Sequence, residues 1–500
     1  MDNSPSSFIQ LQGPLFERVM AEHIFDDAKT FVDSIPLTDP STIMRCYEKE
    51  KESSHFCLKT FIEKHFSIAQ SENSPLLETK PSSMESYIKQ SWPILMKPMN
   101  AVSSHDTLLS LPHPHIVPGG RFRECFYWDS YFSFLGLNEK DIIECIDNFV
   151  YLIETLKFIP NGNRVYFLSR SQPPFFAFMI ELVARQASKN KMLTYMQSLE
   201  KEHWFWTKEK SFAKTEKKEL GHSVYINHPS YKGALNRYYD PINKPRAEAF
   251  YKETLLSKEA HGEDFFQQLR AVCESGWDFS SRFLESKKLG SVNALSICPI
   301  DLHCLLYFSE QQLFNFYKTV DEKKADFYKQ AMSERKLAIQ TLFWNEDFFY
   351  DYNWKKGTTT GKKSLAALFP LYVKLATAKQ AEKVVTTLKA SFLQPGGFVT
   401  TLEHSGHQWD WPNGWAPLQW ITVVGLVNYG YKDIAIEGAK RWLKMVNKMY
   451  QENHTLLEKY NVVTASIEVA KGEYKLQEGF GWTNGVTAAL KRFVETGKLL

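Results

Sequence analysis

Long apolar runs are missing from this chain. Nowhere in its 500 residues do 18 apolar residues follow one another, so no membrane-spanning helix is expected. The opening stretch, MDNSPSSFIQLQGPLFERVM, is polar and carries no apolar segment of the kind that marks a secreted precursor. Charge of one sign is missing too. The 60 basic residues stand against 57 acidic ones, for a net charge of +3, and no basic stripe is visible. A nucleic-acid partner is therefore not expected. Cysteine is scarce: seven residues, at 46, 57, 125, 145, 273, 298 and 304, none in a Cys-x-x-Cys pair. An odd count spread over so long a chain does not make a disulfide scaffold. These absences lead to the expectation of a soluble monomer in a reducing compartment, the cytoplasm.

Familiar catalytic patterns are absent as well. There is no Gly-x-Ser-x-Gly elbow and no Gly-x-Gly-x-x-Gly fingerprint. GTTTGKKS, 357–364, resembles a phosphate loop, but its glycines stand one residue too close and no strand precedes them. HPH, 113–115, sets two histidines at i and i+2 with no companion ligands. These stretches do not lead to the expectation of a metal site.

What the chain does have is helical period and aromatic rings. Its hydrophobic fraction is 43%, ordinary for a globular protein, whereas aromatics reach 14%. Sugar clefts are rich in such rings, because indole and phenol faces stack on pyranose C–H groups. NEKDIIECIDNFVYLIETLKF places Ile142, Ile143, Ile146, Phe149, Val150, Ile153 and Leu156 at three- and four-residue spacing. Asn138 is positioned to cap this helix and PNG from Pro160 to end it. Similar patterns predict helices near 173–188, 191–208, 304–318, 322–342, 364–375, 378–391, 417–428, 432–451 and 484–496, with shorter ones at 127–136 and 262–273. About twelve helices result. Extended sheet is a minor component. The fold class is all-α. Twelve helices paired into six hairpins would make an (α/α)6 toroid, although periodicity alone does not select it over another helical array. Residues 1–100, with helical runs at 14–34 and 41–66 and a Ser-rich stretch, are expected to form an N-terminal helical extension on a catalytic body of 101–500.

The segments between helices carry the chemistry, which suggests a rigid scaffold with a loop-borne site. QWDWPNGWAPLQW, 408–420, spends four tryptophans on a loop. In ESGWDFSSRF, 274–283, Asp278 lies between Trp277 and Phe279, where poor solvation favours a protonated acid; it could equally be a helix N-cap. In TLLEKYNV, 455–462, Glu458 could be a solvated helix residue or a second carboxylate. Hydrolysis of a glycosidic bond needs two carboxyl groups flanking it. Arg121, Arg123, Arg170 and Arg246 lie in Gly- or Pro-marked loops. They suit vicinal hydroxyls or phosphate, or serve as partners of Glu124, Glu248 and Asp129.

Two of these loops, PGGRFRECFYWDSYF (118–132) and QWDWPNGWAPLQW, closely resemble the two signature segments of the trehalases, inverting glycosidases that split α,α-trehalose. AKTFVDSIP, PNGNRVYFLSRSQPPFF, ESGWDFSSRF and EGFGWTNGV resemble further family segments in the family's order, so the resemblance covers nearly the whole chain. It implies an (α/α)6 toroid that needs no metal and no cofactor, with trehalose and water as reactants. It makes Asp278 the general acid and Glu458 the general base. It places Arg121, Phe122, Trp128, Asp129, Asn161, Arg170, Ser171 and Gln172 in the substrate pocket. Arg246, Glu248, Gly276, Trp409 and Glu473 join them. The loop tryptophans would then form a sugar-facing wall. Two departures stand out: NVVTASIEVAKGEY replaces a glycine-rich lid run, and Trp411 stands where a small residue is common. Rival readings are a related toroid glycosidase for another α-glucoside, such as maltose or kojibiose, and an inactive trehalose-binding sensor.

Overall fold

Six helices bury most of their surface. They are Tyr127–Phe134, Phe176–Val183, Ile300–Tyr317, Phe369–Tyr372, Ala416–Asn428 and Gly481–Thr496. In the computed structural model, which describes residues 8–68, 76–77, 80–99, 103–210, 219–260, 262–470, 472 and 474–499, each packs on the next, and the last packs on the first. The ring is thereby closed. Six amphipathic helices lie outside it: Met84–Leu95, Glu139–Leu156, Lys189–Thr207, Glu322–Ala338, Ala378–Thr387 and Lys432–Asn453. The result is the expected (α/α)6 toroid. Met84–Leu95, from the stretch read as extension, covers Gly481–Thr496 and completes the outer layer. The helix expected near 262–273 exists as Phe265–Glu274 but stands outside the ring.

Local chemistry accounts for the outer helices. Glu139–Leu156 buries Ile142, Ile146, Phe149 and Ile153 as the spacing predicts, together with Cys145 and Leu152. Each large apolar side chain so buried contributes about 1.5–3 kcal/mol. The Asn138 side chain accepts from the Asp141 N–H at 3.1 Å, and Lys157, at φ 71°, ends the helix ahead of Pro160. Ser188, Asp321 and Thr377 cap three other outer helices in the same way.

The ring has two unlike ends. Turns from an inner helix to the following outer one are short, such as 135–138, 318–321 and 429–431. Connections from an outer helix back to an inner one are long, and apart from AKTFVDSIP (28–36) every motif segment lies in one of them or runs from it into the next inner helix. The longest strands, Ser223–His228 and Tyr231–Asn236, form a hairpin in such a connection. Residues 8–66 build a second apolar core that also takes in Phe126, Val165, Tyr166 and Phe167. Buried ions tie it to the ring. Glu124 accepts from Lys29 at 2.8 Å and from Arg164 at 2.7 Å. Burial alone would push the Glu124 carboxyl up; the two cations outweigh it and bring it to about 2.

Candidate active site

The long connections meet over the N-termini of the inner helices. Asp278 stands in the connection that leads into Ile300–Tyr317. Gly276 makes the preceding turn at φ +73°, and a Cβ there would lie 2.8 Å from the Trp128 ring, so only glycine fits. Asp278 is not a helix cap: that role falls to Ser280, whose hydroxyl accepts from the Arg282 N–H at 3.1 Å. Asp278 is half-buried, between the fully buried rings of Trp277 and Phe279.

Glu458 is not a solvated helix residue. The preceding helix ends at Asn453, and Glu458 leads into a strand, Lys459–Asn461, with 1% of its surface exposed. That strand pairs antiparallel with Asn413–Trp415 of the tryptophan-rich loop. The Tyr474 hydroxyl donates to Glu458 Oε1 at 2.6 Å, and Lys459 Nζ to Oε2 at 2.8 Å. Its backbone is held by Gln477 and by the Trp482 indole.

The two carboxyl groups converge. Burial pushes the Asp129 carboxyl well above its ordinary range, and the charges of Glu458 and Asp278 push it further. Burial raises the Tyr474 hydroxyl as well, again with both of those charges adding to the rise. Asp129, Asp278, Glu458 and Tyr474 therefore lie close enough for their charges to act on one another.

The arginines divide. Arg121 pairs with Asp27 of the N-terminal segment and lies over Phe122 and Tyr474, 5.6 and 5.0 Å from the ring centroids. Glu124, one of the partners considered from sequence, is taken instead by Lys29 and Arg164. Arg170 Nη2 donates to Glu248 Oε1 at 3.1 Å, whereas its Nε and Nη1 and the other Glu248 oxygen have no hydrogen-bond partner. Arg246 is held by Glu253 through its backbone N–H at 2.7 Å and through its Nε. Asn161, Ser171 and Gln172 knit the loops: Asn161 Nδ2 donates to the Ser171 carbonyl, the Ser171 N–H to Glu274, and the Trp128 N–H to Gln172. Glu473 lies outside the described residues.

The tryptophans stack on one another more than they line a wall. Trp409 has Trp415 on one face, at 3.8 Å and 2°, and Trp277 on the other, at 5.4 Å and 23°. A ligand can meet only its edge. Trp411 packs instead against His404 at 4.8 Å. Residues that sequence reasoning passed over include Asp27, Gln408, Lys459 and Gln477. Lys459 stood beside Glu458, but only the strand register brings it to Gln408, whose Oε1 accepts from it at 2.9 Å. Among the described residues, no group of three His, Cys, Asp or Glu side chains is arranged to hold a metal, and no helix is long and apolar enough to cross a membrane.

Comparison with known proteins fits this geometry. The family model described as Trehalase matches residues 23–494. A periplasmic trehalase of Xanthomonas campestris pv. campestris (strain B100) is 40% identical over 489 residues, covering 95% of this chain and 84% of that protein. A periplasmic trehalase of Pseudomonas aeruginosa is 39% identical over 497 residues, covering 97% and 90%. The solved structure of the neutral trehalase from Saccharomyces cerevisiae superposes with a TM-score of 0.62 at 26% identity, covering 83% of this chain and 80% of that one. The names of the bacterial relatives overturn the cytoplasmic expectation. None of the seven cysteines forms a disulfide, but Cys125, Cys145, Cys273, Cys298 and Cys304 are buried, and burial keeps a thiol reduced in any compartment. With the family model spanning nearly its full length, the chain belongs to the trehalase family of glycosidases.

Proposed function

We propose that this trehalase hydrolyses α,α-trehalose with inversion, Asp278 serving as general acid and Glu458 as general base. The supporting observation is that two carboxyl groups from separate loops, 180 positions apart in sequence, bear on the same Asp129 and Tyr474. Their environments differ. Glu458 accepts from an ammonium on one oxygen and from a hydroxyl on the other, which fixes its orientation. Asp278 is half-buried, with the buried Trp277 and Phe279 as its chain neighbours. Asp278 protonates the bridging oxygen, and Glu458 takes a proton from the water attacking the opposite face. Inverting enzymes hold the two carboxyl groups about 6.5–9.5 Å apart to admit that water. One β- and one α-glucose leave.

The partnerless donors of Arg170 and the partnerless oxygen of Glu248 suit a sugar hydroxyl, which both accepts and donates. Arg121, Arg246, Asp129 and Glu473 hold the rings alongside them, while Phe122, Trp128 and the edge of Trp409 keep water out. Asn161, Ser171, Gln172 and Gly276 shape the pocket from behind. As in the named bacterial relatives, the periplasm is the proposed site of action. The test is glucose release from trehalose, with maltose as the competing substrate and product anomers resolved by NMR at early times. Asp278→Asn and Glu458→Gln should each remove at least ~99% of turnover with an unchanged unfolding midpoint. Retained turnover in either variant would falsify its assigned role. Two α-glucose molecules as first products would exclude inversion.

A further inference from the structure

We infer that Lys459 is a positioning residue: it holds the base in its ionised state and anchors one end of a rigid column that joins the two carboxyl-bearing loops. The inference rests on the roles proposed above for Asp278 and Glu458.

Lys459 is 1% exposed, which is rare for lysine. A buried ammonium is tolerated only where counter-charge and acceptors surround it. Here Nζ donates to Glu458 Oε2 at 2.8 Å and Gln408 Oε1 at 2.9 Å. It lies 4.8 Å from the Trp415 ring centroid and 5.4 Å from that of Tyr474, within cation–π range. Behind Trp415 the stack continues through Trp409 to Trp277, and the Arg282 guanidinium covers the far face at 4.6 Å. Three indoles are thus clamped between two cations. Each end of the column is one residue from a carboxyl group: Trp277 precedes Asp278, and Lys459 follows Glu458. Gln408 adds a second tie, since its Nε2 donates to the Asp278 carbonyl. Loops alone would let the carboxyl separation drift; three stacked rings resist compression and shear. Neutralising Lys459 removes the counter-charge that sits 2.8 Å from Glu458 Oε2.

The experiment is the pH dependence of kcat/KM for trehalose in Lys459→Met, Lys459→Arg and Gln408→Met. The acid limb of that profile reports ionisation of the base in the free enzyme. Lys459→Met keeps the apolar stem and removes the charge, so the limb should move up by about one pH unit or more. Its plateau kcat should fall about tenfold or more with KM little changed, because Lys459 does not touch sugar. Lys459→Arg keeps the charge; its limb should stay at the wild-type position even if the plateau drops. Gln408→Met loosens the ammonium and should move the limb up by a smaller step, which keeps the test open if Lys459→Met does not fold. A merely structural lysine would lower activity at every pH and leave all three limbs in place, and that outcome overturns the inference. If Glu458→Gln retains turnover, the base assignment fails first. If Glu458→Gln is inactive and the limbs do not move, the lysine inference alone fails.

Discussion

Arg282 and Arg170 are equally buried, each with 1% of its side chain exposed, yet they are used in opposite ways. Arg282 is saturated. Nη1 and Nη2 fork onto Asp301 at 2.7 and 2.9 Å, and Nε and Nη2 onto Asp351 at 2.7 and 2.8 Å. Asp351 also accepts from the Ile300 N–H at 2.9 Å, fixing the start of an inner helix. Arg170 makes one hydrogen bond, to Glu248; its Nη1 has only a longer ion pair, 3.7 Å to Asp240 Oδ2, and neither Nε nor Nη1 has a hydrogen-bond acceptor. A buried donor without an acceptor costs about 1–3 kcal/mol, so a fold keeps one where a ligand will complete it. Burial and charge therefore do not distinguish these two arginines. Saturation of the hydrogen bonds does.

The contrast breaks first at Arg282. Replacing it with Met leaves Asp301 and Asp351 as buried charges with no cation between them. Losing one partner of such a cluster costs about 3–5 kcal/mol. Chemical denaturation of Arg282→Met should show a loss of that size. A loss below about 1 kcal/mol would mean that the saturated cluster is no scaffold. At Arg170 the expectation reverses. Arg170→Lys keeps a cation against Glu248 but removes the partnerless fork. With hydrogen bonds to charged groups worth about 1.5–3 kcal/mol, kcat/KM for trehalose should drop about 100-fold while the unfolding midpoint barely moves. Equal losses of stability and activity would erase the distinction.

Sequence carried the scaffold further than it carried this distinction. The spacing of Ile142, Ile146, Phe149 and Ile153 predicts a helix because one element's own period sets it. Asn138 and Pro160 mark its ends by local chemistry. The hairpin 223–236 went unseen because its alternation spans only six residues a side, among polar ones. Composition suggested that Asp278 is special, but Ser280 and Asp278 are both cap-forming types, and only the backbone shows that Ser280 does the capping. Lys459 and Gln408 are 51 positions apart, and the register that joins them belongs to a three-residue ladder no period could reveal. Asp27 on Arg121 is likewise a meeting of distant segments. Saturation is a property of such meetings, so no single stretch of sequence contains it.

Among carboxylates Asp410, held by five donors, contrasts with Asp129, whose carboxyl is pushed up by burial and by neighbouring negative charges. Asp410 accepts from the Ser280 hydroxyl at 2.8 Å, the Ser281 N–H at 2.7 Å, the Ser281 hydroxyl at 2.9 Å, Thr401 at 3.0 Å and Ser405. In Asp410→Asn an NH2 group faces either the fixed Ser281 N–H or the three hydroxyls on the other oxygen. The loss should be about 1–3 kcal/mol, read by thermal unfolding.

Asp129→Asn should do the least, with the opposite sign as pH rises. Burial first, then the charges of Glu458 and Asp278, raise the Asp129 carboxyl in the folded chain well above its ordinary value of 3.8. Below that value both folded and unfolded chains hold the proton, and the variant should lie within about 1 kcal/mol of the wild type. Above it the unfolded chain releases the proton while the folded chain retains it, so the wild type loses stability with rising pH until Asp129 ionises in place. The carboxamide of the variant has no such proton to lose. Measured without sugar, the stability of Asp129→Asn relative to the wild type should therefore grow steadily from about pH 4 upward. A gap that stays flat or narrows would show that Asp129 is as well satisfied as Asp410, and that the site's carboxylates do not differ from those of its scaffold.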